Sequence, residues 1–149
     1  MKIEEAVKQE NFRNVYQKAT LNLLFTHSWL TDHLKSFFST FDITPQQYNI
    51  LKILKGQHPN PITTSLIRDR MLDRSSDASR LVDRLYKKEL VNRNICQKDK
   101  RLVDVTLSDR GLELVDLVDA QTEKLDAYLS RLTPTEAKEI SDLLDKIRG

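Results

Sequence analysis

A chain of 149 residues, 39% hydrophobic and 31% charged, is long enough for one packed domain and too mixed in composition to be disordered or membrane-spanning. Its net charge of +2 decides little by itself, but residues 68–101 hold eleven Lys/Arg against six Asp/Glu, whereas residues 102–149 hold six against eleven. The acidic opening Met1-Lys2-Ile3-Glu4-Glu5, the short apolar runs, the lack of a lipidation pattern and the lone Cys96 set the expectation of a cytoplasmic protein without an internal disulfide.

Residues 4–41 lack proline and glycine and read as one long helix or two consecutive ones. Phe12, Val15, Tyr16, Ala19, Leu23, Leu30, Leu34, Phe37, Phe38 and Phe41 make one stripe, and Leu21, Leu24, Phe25 and Trp29 lie roughly opposite. A helix apolar on two sides must be covered on two sides, by its own core and by a second subunit or a ligand, or wholly within one domain. Thr44-Pro45-Gln46-Gln47 combines an N-cap, a proline at the first helical position and a capping-box glutamine, so it opens the next helix, which Gly56 is expected to end. Gln57–Pro61 is a connector, and Ile62–Met71 reads as a short helix capped by Thr63 or Thr64.

In Arg74–Leu85 the apolar Ala78, Leu81, Val82 and Leu85 fall at helical spacing, leaving Ser75, Ser76, Asp77, Ser79, Arg80 and Arg84 on the other faces. Asp73, Ser75 or Ser76 can cap this helix, which places its start near Ser75. Leu90–Cys96 and Leu102–Leu107 then alternate with period two around the charged bend Gln97-Lys98-Asp99-Lys100-Arg101, the pattern of a β-hairpin with a basic tip. Ser108 caps a long helix expected to run to about Leu132, and Thr133-Pro134-Thr135-Glu136 opens a last one. A polar helix followed by a two-stranded wing outlines a winged helix-turn-helix, mainly α with a small β-hairpin. The N- and C-terminal helices carry more apolar surface than a small wing domain needs covered, and read as a dimerisation platform.

The run Ser79–Leu85, the following Lys87-Lys88-Glu89-Leu90-Val91-Asn92-Arg93, Asp99-Lys100-Arg101, Thr106–Gly111 and Thr44–Leu51 together resemble, in order, the MarR family of bacterial transcriptional regulators. The resemblance covers about two thirds of the chain. It implies a single regulator domain over residues 1–149, with a DNA-binding lobe at 44–111 and dimerisation helices at 1–41 and 112–149. It also implies a homodimer on a pseudo-palindromic duplex operator, acting as a repressor that a small anionic or aromatic effector releases. One departure is Glu89, where members usually have glycine at the end of the recognition helix, so the turn into the wing is expected to differ. The family's peroxide sensors carry a cysteine near the N-terminus, and Cys96 reads instead as a strand residue.

A recognition helix in the major groove presents its N-terminal residues to base edges, which puts Ser75, Ser76, Asp77 and Ser79 at the groove floor and Arg80 one turn on. Arg80 is the leading candidate for bidentate guanine readout. Asp77 can accept from cytosine, hold Arg80 or Arg74, or serve the helix N-terminus. Arg84 suits a phosphate or an intrahelical partner, and Thr63 and Thr64 suit a phosphate or a cap. Lys98 and Lys100 lie in the wing's basic tip. By resemblance, Arg101 is a minor-groove probe that Asp99 orients. The histidines are not spaced as metal ligands, and no cofactor, effector-binding residue or catalytic group can be named. A winged helix used only for protein interaction is the alternative function, and an enzyme the remote third.

Overall fold

The computed structural model describes all 149 residues. Helices α1 (Ile3–Val7), α2 (Val15–Ser39) and α3 (Pro45–Gln57) precede a short strand β1 (Ile62–Thr63) and helices α4 (Thr64–Arg70) and α5 (Ala78–Lys87). Strands β2 (Val91–Ile95) and β3 (Val103–Leu107) form the hairpin, and α6 (Asp109–Asp119), α7 (Glu123–Asp126), a 3-10 turn (Ala127–Leu129) and α8 (Pro134–Arg148) complete the chain. The antiparallel sheet has the order β1-β3-β2, with Ile62 opposite Val105 and Val91 opposite Leu107. No helix is long and apolar enough to cross a membrane.

Most boundaries follow from local chemistry. The capping boxes at Thr44–Gln47 and Thr133–Glu136 are both formed, and the Ser108 hydroxyl accepts the Gly111 amide. Of the two readings of the first segment, the structure takes two consecutive helices, separated at Lys8–Asn14, where Lys8 is left-handed and Asn14 caps α2 through the Gln17 amide. Three expectations need correction. Gly56 lies inside α3, which ends one residue later. Ile62 and Thr63 pair with β3 before the helix begins, so the wing has three strands. The helix expected to reach Leu132 stops at Asp119, where the Thr122 hydroxyl donates to the Asp119 carbonyl and so competes for an acceptor that a continuing helix would use.

The core is a cluster of 18 buried residues drawn from the end of α2 (Phe37, Phe38) through α6 (Val115, Val118). Ile50, Leu51, Ile67, Leu85 and Val105 at its centre are fully buried. Much of the remaining apolar surface is uncovered: Val15, Tyr16 and Leu24 on α2 and Leu143 and Ile147 on α8 are at least 60% exposed, and α8 buries no residue.

The end of α5 is a Schellman turn, with the Leu90 amide on the Leu85 carbonyl and the Glu89 amide on the Tyr86 carbonyl. Glu89 takes the left-handed conformation, φ +60°, that a glycine would adopt here, so the turn keeps its geometry despite the different residue. Next to it, a Cβ on Gly111 would stand 2.0 Å from the Leu90 carbonyl oxygen. The two sites should respond oppositely. Gly111→Ala is expected to cost on the order of 2–3 kcal/mol through overpacking, whereas Glu89→Gly should be neutral or stabilising by up to about 1 kcal/mol. Urea unfolding of both variants checks this, and equal destabilisation would contradict it.

Asp119 anchors α6 to α3. Its carboxylate accepts from Tyr48 Oη at 2.9 Å, Lys52 Nζ at 3.0 Å and Lys55 Nζ at 2.8 Å. Burial opposes the charge, but these hydrogen bonds outweigh it and hold the carboxyl at about 2, while burial and the nearby carboxylate push the Tyr48 phenol well above its ordinary range. A depressed folded-state pKa gives stability that is present above the ordinary carboxylate value and lost as pH falls through about 2. Asp119→Asn should therefore cost on the order of 2 kcal/mol at neutral pH. In denaturant titrations the gap between wild type and variant should narrow between about pH 4 and pH 2, and a gap that stays constant would remove the anchor from the account.

Candidate nucleic-acid interface

Helices α4 and α5 and the wing bring the sequence-predicted residues to one surface, with some shifts of role. Asp73 takes the Ser75 amide at 3.0 Å and the Ser75 hydroxyl at 2.6 Å, and its carbonyl accepts the Ser76 amide. This Asx turn closes the chain on itself at Asp73–Ser76, a local alternative to helix at these residues. Helix α5 therefore begins at Ala78, capped by Asp77, whose carboxylate accepts the Arg80 amide at 3.1 Å. Ser75 and Ser76 lie in the loop before the helix rather than in its first turn. Hydrogen bonds from Ser75 lower the Asp73 carboxyl below its usual range, which keeps the turn formed with its acid ionised. The Leu72 amide is fixed from α3 by the Asn49 side chain at 2.9 Å.

Ala78, Val82 and Leu85 bury the inner face of α5, and Ser79, Arg80, Asp83, Arg84 and Lys87 are exposed. Thr63 caps α4 through the Leu66 amide at 3.3 Å and contacts the Ser65 hydroxyl at 3.1 Å, so its oxygen is already engaged. Thr64 begins α4 beside it and borders the cleft that Ser76, Asp77 and Ser79 line between the two helices.

At the wing tip, Asp99 grips Arg101 three times. Its Oδ1 accepts from the Arg101 amide and from Nε, both at 3.0 Å, and its Oδ2 accepts from Nη2 at 2.9 Å. The Arg101 side chain is nevertheless 88% exposed, so an extended guanidinium is held in a fixed direction while facing outward. The Arg101 hydrogen bonds hold the Asp99 carboxyl below the usual carboxylate range.

The charge balance of this surface favours a polyanion. Three of its acids are paired, with Asp77 3.9 Å from Arg80, Asp99 on Arg101 and Asp83 on Arg93, and Asp73 is held by Ser75. Arg74, Arg84, Lys87, Lys98 and Lys100 are exposed and enter none of these pairs. Five unopposed cations beside a convex polar helix suit phosphate contacts. Arg74 and Lys87 were outside the sequence-predicted set; local charge excess is visible in the sequence, but which cations escape pairing is not. Cys96 is buried beside the hairpin.

The MarR family profile matches residues 43–103, which span α3, both helix-turn-helix helices and most of the wing. The HTH-type transcriptional repressor MdtR of Bacillus subtilis is 30% identical over 106 residues, 70% of this chain and 67% of that protein. A MarR transcription factor from Planctomyces limnophilus is 33% identical, with a TM-score of 0.69 over 91% of this chain and 98% of its own. A mutant MarR from E. coli, solved in complex with operator DNA, has the same fold at 24% identity, with a TM-score of 0.79 over 93% of this chain and 99% of its own.

Removing the cap tests how α5 is presented. Asp77→Ala should destabilise the protein by about 1 kcal/mol, which at this size lowers the melting temperature by about 2–4 °C. An unchanged melting curve by circular dichroism would mean that Asp77 does not start the helix.

Proposed function

The chain belongs to the MarR family of transcriptional regulators, and from that premise we propose that it is a homodimeric repressor that binds a pseudo-palindromic operator in the cytoplasm. Residues 44–111 read the DNA, and residues 1–41 and 112–149 pair with those of a second copy. A two-fold dimer sets two copies of α5 in successive major grooves on one face of the duplex, about one helical turn apart. The uncovered apolar residues of α2 and α8 support this pairing, because a dimer removes them from water.

The observation that carries the reading is the exposed Arg101, fixed in direction by Asp99 at the tip of a basic hairpin. A guanidinium so held can enter a narrow minor groove and sense its enhanced negative potential without a unique base code. Arg80, with Ser79 and Asp77 beside it, reads base edges from the start of α5, and Ser75 and Ser76 approach from the preceding loop. Thr64, Arg84, Lys98 and Lys100 contact phosphates and set register, while Thr63 serves as the cap of the helix that presents Thr64.

Release requires a ligand that prefers a dimer whose recognition helices are wrongly spaced. A groove of about 480 Å³ between the end of α2, the end of α5 and α6 is the place for such an effector, with Phe41, Leu114 and Leu117 along it and a rim that balances Lys87, Lys88 and Arg110 against Asp42, Glu89 and Glu113.

Fluorescence-anisotropy titration against a duplex from the protein's own upstream region and a scrambled duplex, at two salt concentrations, tests this function. The upstream duplex should bind selectively, more weakly at higher salt, with two subunits per site. Arg101→Ala should weaken that binding about tenfold or more while leaving the oligomeric state unchanged. Equal binding to both duplexes, or none, would favour a protein-interaction role instead.

A further inference from the structure

Operator recognition by two probes, a helix in the major groove and a wing in the minor groove, needs more than the probes themselves. It needs the angle between them held constant, and the core ends before it reaches the wing's tip. Val91, Val105 and Leu107 on the inner face of the hairpin are buried, but the next pair outward, Ile95 and Val103, is 64% and 39% exposed. Buried apolar packing therefore covers only the base of β2. Between the buried base and the exposed tip, on the same face, stands Arg93, opposite Val105 in the ladder.

Arg93 makes two contacts, both to α5. Its Nη1 donates to the Asp83 carboxylate, and its guanidinium centre lies 4.1 Å from the centroid of the Tyr86 ring. Asp83 and Tyr86 are three residues apart on the helix, so they flank the guanidinium from one side of α5. Only an arginine does both at once: its plane lies on a ring while its edge donates to a carboxylate. The Arg93 side chain is 34% and Asp83 54% exposed, so this is a half-open surface contact and not part of the core.

We infer that Arg93 is a positioning residue for DNA recognition: with Asp83 and Tyr86 it clamps β2 to the recognition helix and thereby sets where Arg101 reaches relative to Arg80. The inference rests on the operator-binding reading above. Arg93 is already engaged on both its polar edge and its flat face, which distinguishes it from the unpaired cations proposed for phosphate contact. The clamp thus assigns a role to two residues, Asp83 and Tyr86, that point away from the core and have no partner within their own helix.

A double-mutant cycle on operator affinity tests it. Arg93→Ala should weaken binding about tenfold in the wild-type background and less than about twofold when Arg101 is already alanine, because a lever without its tip has nothing to position. Arg93→Lys, which keeps the charge but not the stack and fork, should behave like the alanine variant, and Tyr86→Leu should give a smaller loss with the same dependence on Arg101. Melting curves identify any variant whose loss comes from unfolding, and the Tyr86→Leu cycle then decides the matter. Equal losses in both backgrounds, rescue by lysine, or a salt slope reduced by about one with Arg93→Ala would make Arg93 an ordinary phosphate contact and overturn the clamp. Wild-type protein that binds no duplex would remove the premise and the clamp with it, an outcome separate from additive losses in a protein that does bind.

Discussion

The carbonyl oxygen of Leu90 accepts the Ser108 amide at 3.1 Å and faces Gly111 at a distance that leaves no room for a side chain, and this corner sets how α5, the wing and α6 lie relative to one another. Three connections meet there. The Schellman turn ends α5 with Leu85 and Leu90 both buried, β2 leaves from Leu90, and the Ser108 hydroxyl donates to the Glu89 carbonyl at 2.6 Å while it caps α6. Glu89 holds a left-handed backbone because the bonds on either side of it leave the chain no other path. A protein that inserts one helix and one hairpin into neighbouring grooves needs a rigid vertex between them. A packed, fully hydrogen-bonded corner supplies it better than a flexible loop would.

Stiffness falls away from that vertex in two directions. Towards the DNA side, the hairpin outgrows the core, and contacts between charged and aromatic side chains replace buried apolar ones. Towards the termini, α2 and α8 keep large apolar residues in the open, which is costly for a free chain and consistent with the proposed dimer. Asp119 stands between these regions, at the end of α6, and ties it to α3 through one tyrosine and two lysines.

Much of this was legible in the sequence because it is local. Thr44, Ser108 and Thr133 cap the helices they were expected to cap, since a cap needs only a short oxygen-bearing side chain and the amides of the following turn. The hairpin followed from period two and a charged bend, and Asp99 with Arg101 from adjacency and resemblance. The misplaced starts and stops of α5 and α6 share one cause, competition between equivalent local hydrogen bonds, whereas the pairing of Ile62 and Thr63 with β3 is long-range and leaves no local signal. Asp73 was counted as a helix cap but closes a turn on Ser75, which passes the cap to Asp77; Thr122 ends α6 where no proline or glycine marks a stop. Periodicity put Arg93 on the same face of β2 as Val91, yet it could not show that Tyr86 and Asp83 wait there, because that depends on how the corner at Leu90 folds the strand back over the helix. Glu89 misled in the opposite sense: the different residue suggested a different turn, and the surrounding bonds impose the same one.

The central claim is that one rigid vertex presents a helix and a wing to adjacent grooves, twice, across a two-fold axis. Hydroxyl-radical footprinting of the wild-type protein on its own upstream DNA addresses it most directly, because cleavage in the minor groove reports where each wing sits. The account predicts two symmetric minor-groove protections flanking a centre, with the two half-sites about 10 bp apart on one face of the helix. A single unpaired protection, or even cleavage across the whole region under conditions of tight binding, would contradict it.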